Sequence, residues 1–185
     1  GSQNRFEIED EPNTNMSGSW ETMFSPDTDD AYVAKGIFEQ KGNLLTGTFR
    51  TTTGDYRYLE GVVYGDYFEL STFDGAHAFL FTGEVDGDKL TGTFYSGNHF
   101  KETFEAKRNE NYELPDDNSL TYIKEGFDGL SFTFPNIDGE LVSLDDQDLL
   151  GKVRIIQIMG TWCPNCLDET RYYTDYYKNN QNPEL

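Results

Sequence analysis

Two cysteines, Cys163 and Cys166, sit three apart and are the only cysteines in the chain. Thiol–disulfide exchange needs an accessible thiolate and a second thiol close enough to displace what the first has attacked. A Cys-x-x-Cys spacing at the start of a helix meets both needs. The first sulfur faces the unpaired N–H groups and the positive end of the helix dipole, and the second lies one turn below it. Cys163 is therefore the expected nucleophile and Cys166 the resolving thiol. Pro164 suits the first helical turn, where a missing N–H costs nothing. The intervening Pro164-Asn165 dipeptide is the part of such a motif that sets thiol acidity and reduction potential. An inert exposed pair and half of a zinc site are the alternatives, although structural zinc usually needs a second pair or two nearby histidines. No metal is expected, and no cofactor beyond the redox-active disulfide itself.

The elements around the pair follow from periodicity. Residues 153–159 (VRIIQIM) are mostly apolar and predict a central buried strand. Gly160-Thr161-Trp162 then makes a turn, and a helix runs from Cys163 to about Lys178. Tyr172-Tyr173 and Tyr176-Tyr177 recur at i, i+4 and predict its buried and boundary faces. Upstream, residues 127–144 alternate as a hairpin turning at Asp138-Gly139.

The larger N-terminal part reads differently. Residues 17–108 are short aromatic or β-branched runs punctuated by Gly42-Asn43, Gly54-Asp55, Gly65-Asp66, Asp74-Gly75, Asp86-Gly87 and Gly97-Asn98. This predicts an antiparallel meander of about eight strands, as a barrel or curved sheet, so the fold class is mainly β. Leu45-Thr46-Gly47-Thr48-Phe49 recurs as Leu90-Thr91-Gly92-Thr93-Phe94, which places two similar hairpin units at related positions of one sheet. Residues 1–16 are polar and acidic and predict a flexible lead-in, opening with a Gly1-Ser2 that has the look of a cleaved tag. An export signal or lipid anchor upstream would have been lost with it. Residues 109–126 predict a linker with one strand at 120–124, and 127–185 form the redox segment.

Charge and hydropathy exclude some functions. The 185 residues carry 34 acidic against 14 basic side chains, a formal charge of −20. Such a field repels phosphate backbones and anionic membrane surfaces, so nucleic acid is not an expected partner. No apolar run is long enough to span a membrane. His77 and His99 both flank predicted turns of the β region. They either converge on a ligand at one rim or are plain surface residues.

Two resemblances add to this reading. Residues 132–144 (FTFPNIDGELVSL), Gly151-Lys152-Val153 and Trp162-Cys163-Pro164-Asn165-Cys166-Leu167-Asp168-Glu169 together resemble the TlpA/ResA-like branch of the thioredoxin superfamily. The resemblance implies an incomplete thioredoxin-like α/β segment over 127–185 and an exported thiol–disulfide oxidoreductase in the bacterial cell envelope. It also implies protein thiol or disulfide clients with a redox partner, and a supporting role for Trp162 and for Glu169, the acidic residue that influences thiol reactivity. Thr170 stands where the family usually has Pro, and residues 155–159 lack its common Asn-Phe-Trp pattern. Only nineteen residues follow Cys166, too few for the remaining strands and the cis-proline loop of that fold, so weak or absent turnover is expected. Gly18-Ser19-Trp20 at the first strand, with Lys107-Arg108 ending the meander, resembles the calycin barrels. In those, a Gly-x-Trp opens the first strand and a late basic residue packs on the indole.

Two function classes result. In the first, the protein exchanges disulfides through Cys163 and Cys166, with the β domain positioning clients. A peroxiredoxin-type variant is disfavoured by the absence of a Pro-x-x-x-Thr-x-x-Cys signature. In the second, the β domain is a small-ligand or partner binding module. A barrel filled by its own aromatics would leave that reading without an interior site.

Overall fold

Glycine-bearing turns cut the N-terminal alternating pattern into nine strands. They are β1 (Gly18–Phe24), β2 (Tyr32–Lys41), β3 (Leu44–Thr51), β4 (Gly54–Asp55), β5 (Leu59–Tyr64), β6 (Tyr67–Phe73), β7 (Ala78–Asp86), β8 (Lys89–Ser96) and β9 (Phe100–Arg108). The computed structural model describes residues 10–180. Within it the chain divides into two compact units, one up to Leu120 and one from Thr121.

In the first unit every strand pairing is antiparallel, and the order runs β2-β1-β9-β8-β7-β6-β5-β3. Pairing of β2 with β3, from Ala34 opposite Thr51 to Lys41 opposite Leu44, closes these eight strands into a barrel. The two-residue β4 only extends the edge of β3. The predicted mainly β fold and the barrel are thus what forms.

Inward positions follow the two-residue period of each strand. Trp20, Phe24, Phe49, Phe68, Phe81 and Phe104 are all buried, and Phe38 and Phe94 nearly so. Ring centroids of the central phenylalanines lie 4.6 Å (Phe81 and Phe94) to 6.4 Å (Phe24 and Phe94) apart. Such crowding requires strand positions with no side chain. A Cβ on Gly92 would strike the Phe104 ring and the Thr82 carbonyl, and one on Gly47 the Ile37 carbonyl and Phe38. These are the central residues of the two LTGTF copies. Their strands, β3 and β8, lie four places apart in the eight-strand ring, so the repeat is an approximate two-fold of the barrel.

One end of the barrel is sealed by the chain entering it. The expected flexible lead-in does not extend over residues 10–16, and residues 1–9 lie outside the described part. Met16 is fully buried, its N–H donating to the Gln40 side chain at 2.7 Å. Asn13 N–H donates to the Gly65 carbonyl at 2.8 Å, and the Asn43 amide donates to the Asp10 carbonyl. Backbone pairing and one buried methionine hold a segment that its polar composition alone would leave loose. Trp20 donates its indole N–H to the Met16 carbonyl at 2.9 Å, and the Arg108 guanidinium lies 4.4 Å over the ring. Arg108 also donates to the carbonyls of Ser17 and Asn15.

The expected linker is likewise partly ordered. Asn109 N–H donates to the Ser19 carbonyl, and Lys35 pairs with Glu113 at 2.8 Å. The expected strand at 120–124 does not form: residues 121–124 are irregular, and Leu120 ends a short helix, α1 (Asp117–Leu120). Asp116 starts it by accepting the Asn118 N–H at 3.0 Å, a side-chain cap that outcompetes extended backbone.

In the second unit the expected hairpin forms from β10 (Thr133–Pro135) and β11 (Leu141–Ser143), turning at Asn136 and Gly139. The Asn136 side chain accepts N–H bonds from Asp138 and Glu140, both 2.9 Å. The predicted buried strand at 153–159 does not form; the segment is irregular, with Val153 and Ile158 largely exposed. A buried strand needs neighbours to take its N–H and C=O groups, and no strand pairs with this run among the described residues. The helix α2 (Pro164–Asn179) forms as predicted, but none of its residues is buried. Tyr172, Tyr176 and Tyr177 are exposed, so the expected buried tyrosine face is absent, since no element packs there among the described residues to cover it.

Candidate redox site

Cys163 is the N-cap of α2, with extended backbone (φ −99°, ψ 106°) and Pro164 following in the first turn. Its N–H donates to the Gly160 carbonyl at 3.0 Å, and its own carbonyl accepts the Leu167 N–H at 3.1 Å. The proline thus breaks no bond, and the preceding turn aims the side chain across the helix end. Cys163 and Cys166 are joined as a disulfide with Cα atoms 5.3 Å apart. The Cys166 N–H points at Cys163 Sγ, 3.3 Å away. No acidic residue occupies the first turn, so nothing there opposes the positive end of the dipole.

The supporting residues divide. Trp162 is 75% exposed, its indole lying against Gly160, where a Cβ would collide with the ring. Asn165 is half-buried between the cysteines. The Glu169 carboxylate accepts from Gln157 at 2.9 Å and from the Tyr173 hydroxyl at 3.0 Å. That bond, with the negative charge of Glu169, holds the Tyr173 phenol above its ordinary pKa.

Sequence reasoning missed Gln157 and the bonds made by Thr170. Gln157 donates both to Glu169 and to the Cys166 carbonyl at 3.0 Å. Thr170 donates within reach of Gln157 Oε1 at 2.7 Å and of the Cys166 carbonyl at 2.8 Å. Together they tie residue 157 to the turn carrying Cys166. The available signal was a lone glutamine in an apolar run, and a threonine four residues after Cys166.

The barrel offers a second place for chemistry. Its interior is packed with its own rings, and two surface grooves of about 320 and 530 Å³ are lined largely by outward residues such as Glu21, Lys89, Thr91, Glu84 and Glu105. At the end opposite the sealed one, Tyr32 donates to Glu102 at 2.7 Å, Tyr56 lies 2.7 Å from the Tyr32 oxygen, and Ser25 donates to Glu102 at 2.6 Å. His77 sits at the same rim, 3.0 Å from Asp74 and stacked on Phe79. His99 is on another turn of that rim, and no group of three metal-binding side chains exists among the described residues.

Compared with known family models and with curated proteins, the chain matches none.

Burial pushes the Tyr56 phenol up to about 12, and burial together with Tyr56 and Glu102 raises Tyr32 further. Both stay protonated longer when folded than when unfolded, where phenols titrate near about 10. Their contribution to stability is thus fully present below about pH 10 and is lost as pH rises towards about 12. A phenolate absorbance titration of the folded protein is expected to leave two of the twelve tyrosines un-ionised when the rest have titrated. Twelve tyrosines titrating together would contradict the network.

Proposed function

We propose that the chain belongs to a thiol–disulfide oxidoreductase acting on protein disulfides, of the TlpA/ResA-like kind, exported to the bacterial cell envelope. The observation that carries this reading is the placement of Cys163 at the N-cap of α2, disulfide-bonded to Cys166 and facing that residue's N–H. In the reducing direction, the Cys163 thiolate attacks a client disulfide and one client sulfur leaves as thiolate. Cys166, deprotonated, then attacks Cys163 Sγ, releasing the second client thiolate and closing the 163–166 disulfide. A redox partner regenerates the dithiol by the same exchange. Turnover by this chain alone is expected to be weak, because residues 153–159, which lead into the site, are irregular and exposed.

The test is equilibration of the pair with a glutathione or dithiothreitol redox buffer. A reversible two-electron transition between roughly −120 and −270 mV is expected, the span of known Cys-x-x-Cys catalysts. A pair that does not re-form its disulfide in any such buffer would refute the assignment. For the barrel we propose a calycin-like relationship, supported by Gly18-Ser19-Trp20 on β1 and by Arg108 stacked over the indole.

A further inference from the structure

We propose that the open end of the barrel binds an organic cation bearing N–H donors, a primary ammonium or guanidinium group, at Glu102 and the ring cluster of Tyr56, Phe79, Phe94 and Phe100 at the same end. This stands independently of the redox reading, since every residue involved belongs to the barrel.

The argument begins with proton bookkeeping. The single proton of Tyr32 goes to Glu102 Oε1, so the 2.7 Å contact between the two tyrosines must be donated by Tyr56. Ser25 spends its proton on Glu102 Oε2. Two hydroxyl donors, Tyr32 and Ser25, thus converge on one carboxylate while Tyr56 donates to Tyr32, and the capacity left over is entirely accepting: a second lone-pair site on each Glu102 oxygen and the lone pairs of Tyr56 and Ser25. A group that docks here must donate. The aromatic surroundings select further. Tyr56 lies 5.5 Å from Phe79 and 5.0 Å from Phe94, which in turn lies 6.2 Å from the half-exposed Phe100. Ring faces beside a carboxylate favour a positive charge carried on carbon-rich substituents.

The local field agrees. The loops at this end (residues 25–31, 52–58, 74–77 and 97–99), with the first residues of β9, carry Asp27, Asp29, Asp30, Asp55, Asp74 and Glu102 against Arg57 and Lys101. The same loops hold every non-glycine residue with positive φ among those described: Ser25 (45°), Asp27 (61°) and Arg57 (63°). Left-handed backbone at such residues costs energy and persists where the surroundings hold it, which is common around ligand sites. Interior packing excludes a ligand from the barrel's centre, so the site is confined to the rim.

The experiment titrates the full chain, labelled at Phe and Tyr, with n-butylammonium and n-butylguanidinium, using n-butanol and n-butyrate as neutral and anionic isosteres, followed by NMR. Saturable shifts at Tyr56, Phe79 and Phe100 are expected for the two cations only, persisting in about 0.5 M salt, where attraction to the general acidic field is screened. Glu102→Gln is expected to weaken binding about ten-fold or more, through loss of the charged acceptor. Tyr56→Phe keeps the ring, removes one acceptor, and is expected to weaken it about three-fold. Equal response to n-butanol, shifts that vanish with salt, or unchanged affinity in a well-dispersed Glu102→Gln protein would each overturn the proposal. Should Glu102→Gln lose its dispersion, unchanged affinity in Tyr56→Phe overturns it instead.

Discussion

With the disulfide reduced, Cys166→Ser is expected to react with a small disulfide such as DTNB rapidly and stop at a mixed disulfide on Cys163. Cys163→Ser is expected to react about a hundred-fold more slowly. The asymmetry follows from position. Cys163 is the cap of α2, where the dipole and the N–H of residue 166 favour a thiolate, whereas Cys166 is already inside the first turn. Both single variants leave one thiol, so the comparison isolates where that thiol sits. In the native protein Cys166 is expected to expel the same reagent, so release of the second leaving group is the readout of resolution. Equal rates in the two variants would mean that the helix end does not activate Cys163.

The largest stability effect is expected at Trp20. Trp20→Ala removes a fully buried ring, the bond to the Met16 carbonyl and the surface on which Arg108 rests. A loss of about 3–5 kcal/mol is expected, the usual range for truncating a large buried aromatic. Arg108→Ala keeps the ring but frees the carbonyls of Ser17 and Asn15, and is expected to cost less, about 1–3 kcal/mol. Urea denaturation followed by circular dichroism of the strands measures both, since Trp20→Ala removes the barrel's one tryptophan. A Trp20→Ala barrel within about 1 kcal/mol of native would mean that the sealing segment contributes little.

The barrel was legible in the sequence because its signals are local and repeated. Turn dipeptides recur at regular spacing, inward positions alternate, and the LTGTF copies mark matching strands. The helix start was equally legible, because Cys163, Pro164 and the spacing to Cys166 are all cap chemistry. What failed depended on distant partners. Residues 153–159 have the composition of a buried strand, but composition cannot supply the neighbour that would receive its backbone bonds. Residues 10–16 erred in the other direction: a polar segment became ordered because Gly65, Asn43 and Gln40, far along the chain, offered it bonds. Gln157 was passed over for a similar reason, since its partners Glu169 and Thr170 become neighbours only once α2 is in place.

Arg108 and Asn109 bind the backbone at Asn15, Ser17 and Ser19, so the chain enters and leaves the barrel at one place. The loops around Glu102 are at the far end. The barrel's two chain ends are therefore adjacent, and it could be excised, transplanted into a host loop or circularly permuted without rethreading a strand. Those two ends lie opposite the rim, so a junction made there alters no rim loop, a layout that lets such a cassette keep its own ligand chemistry while the sequence joined to it changes.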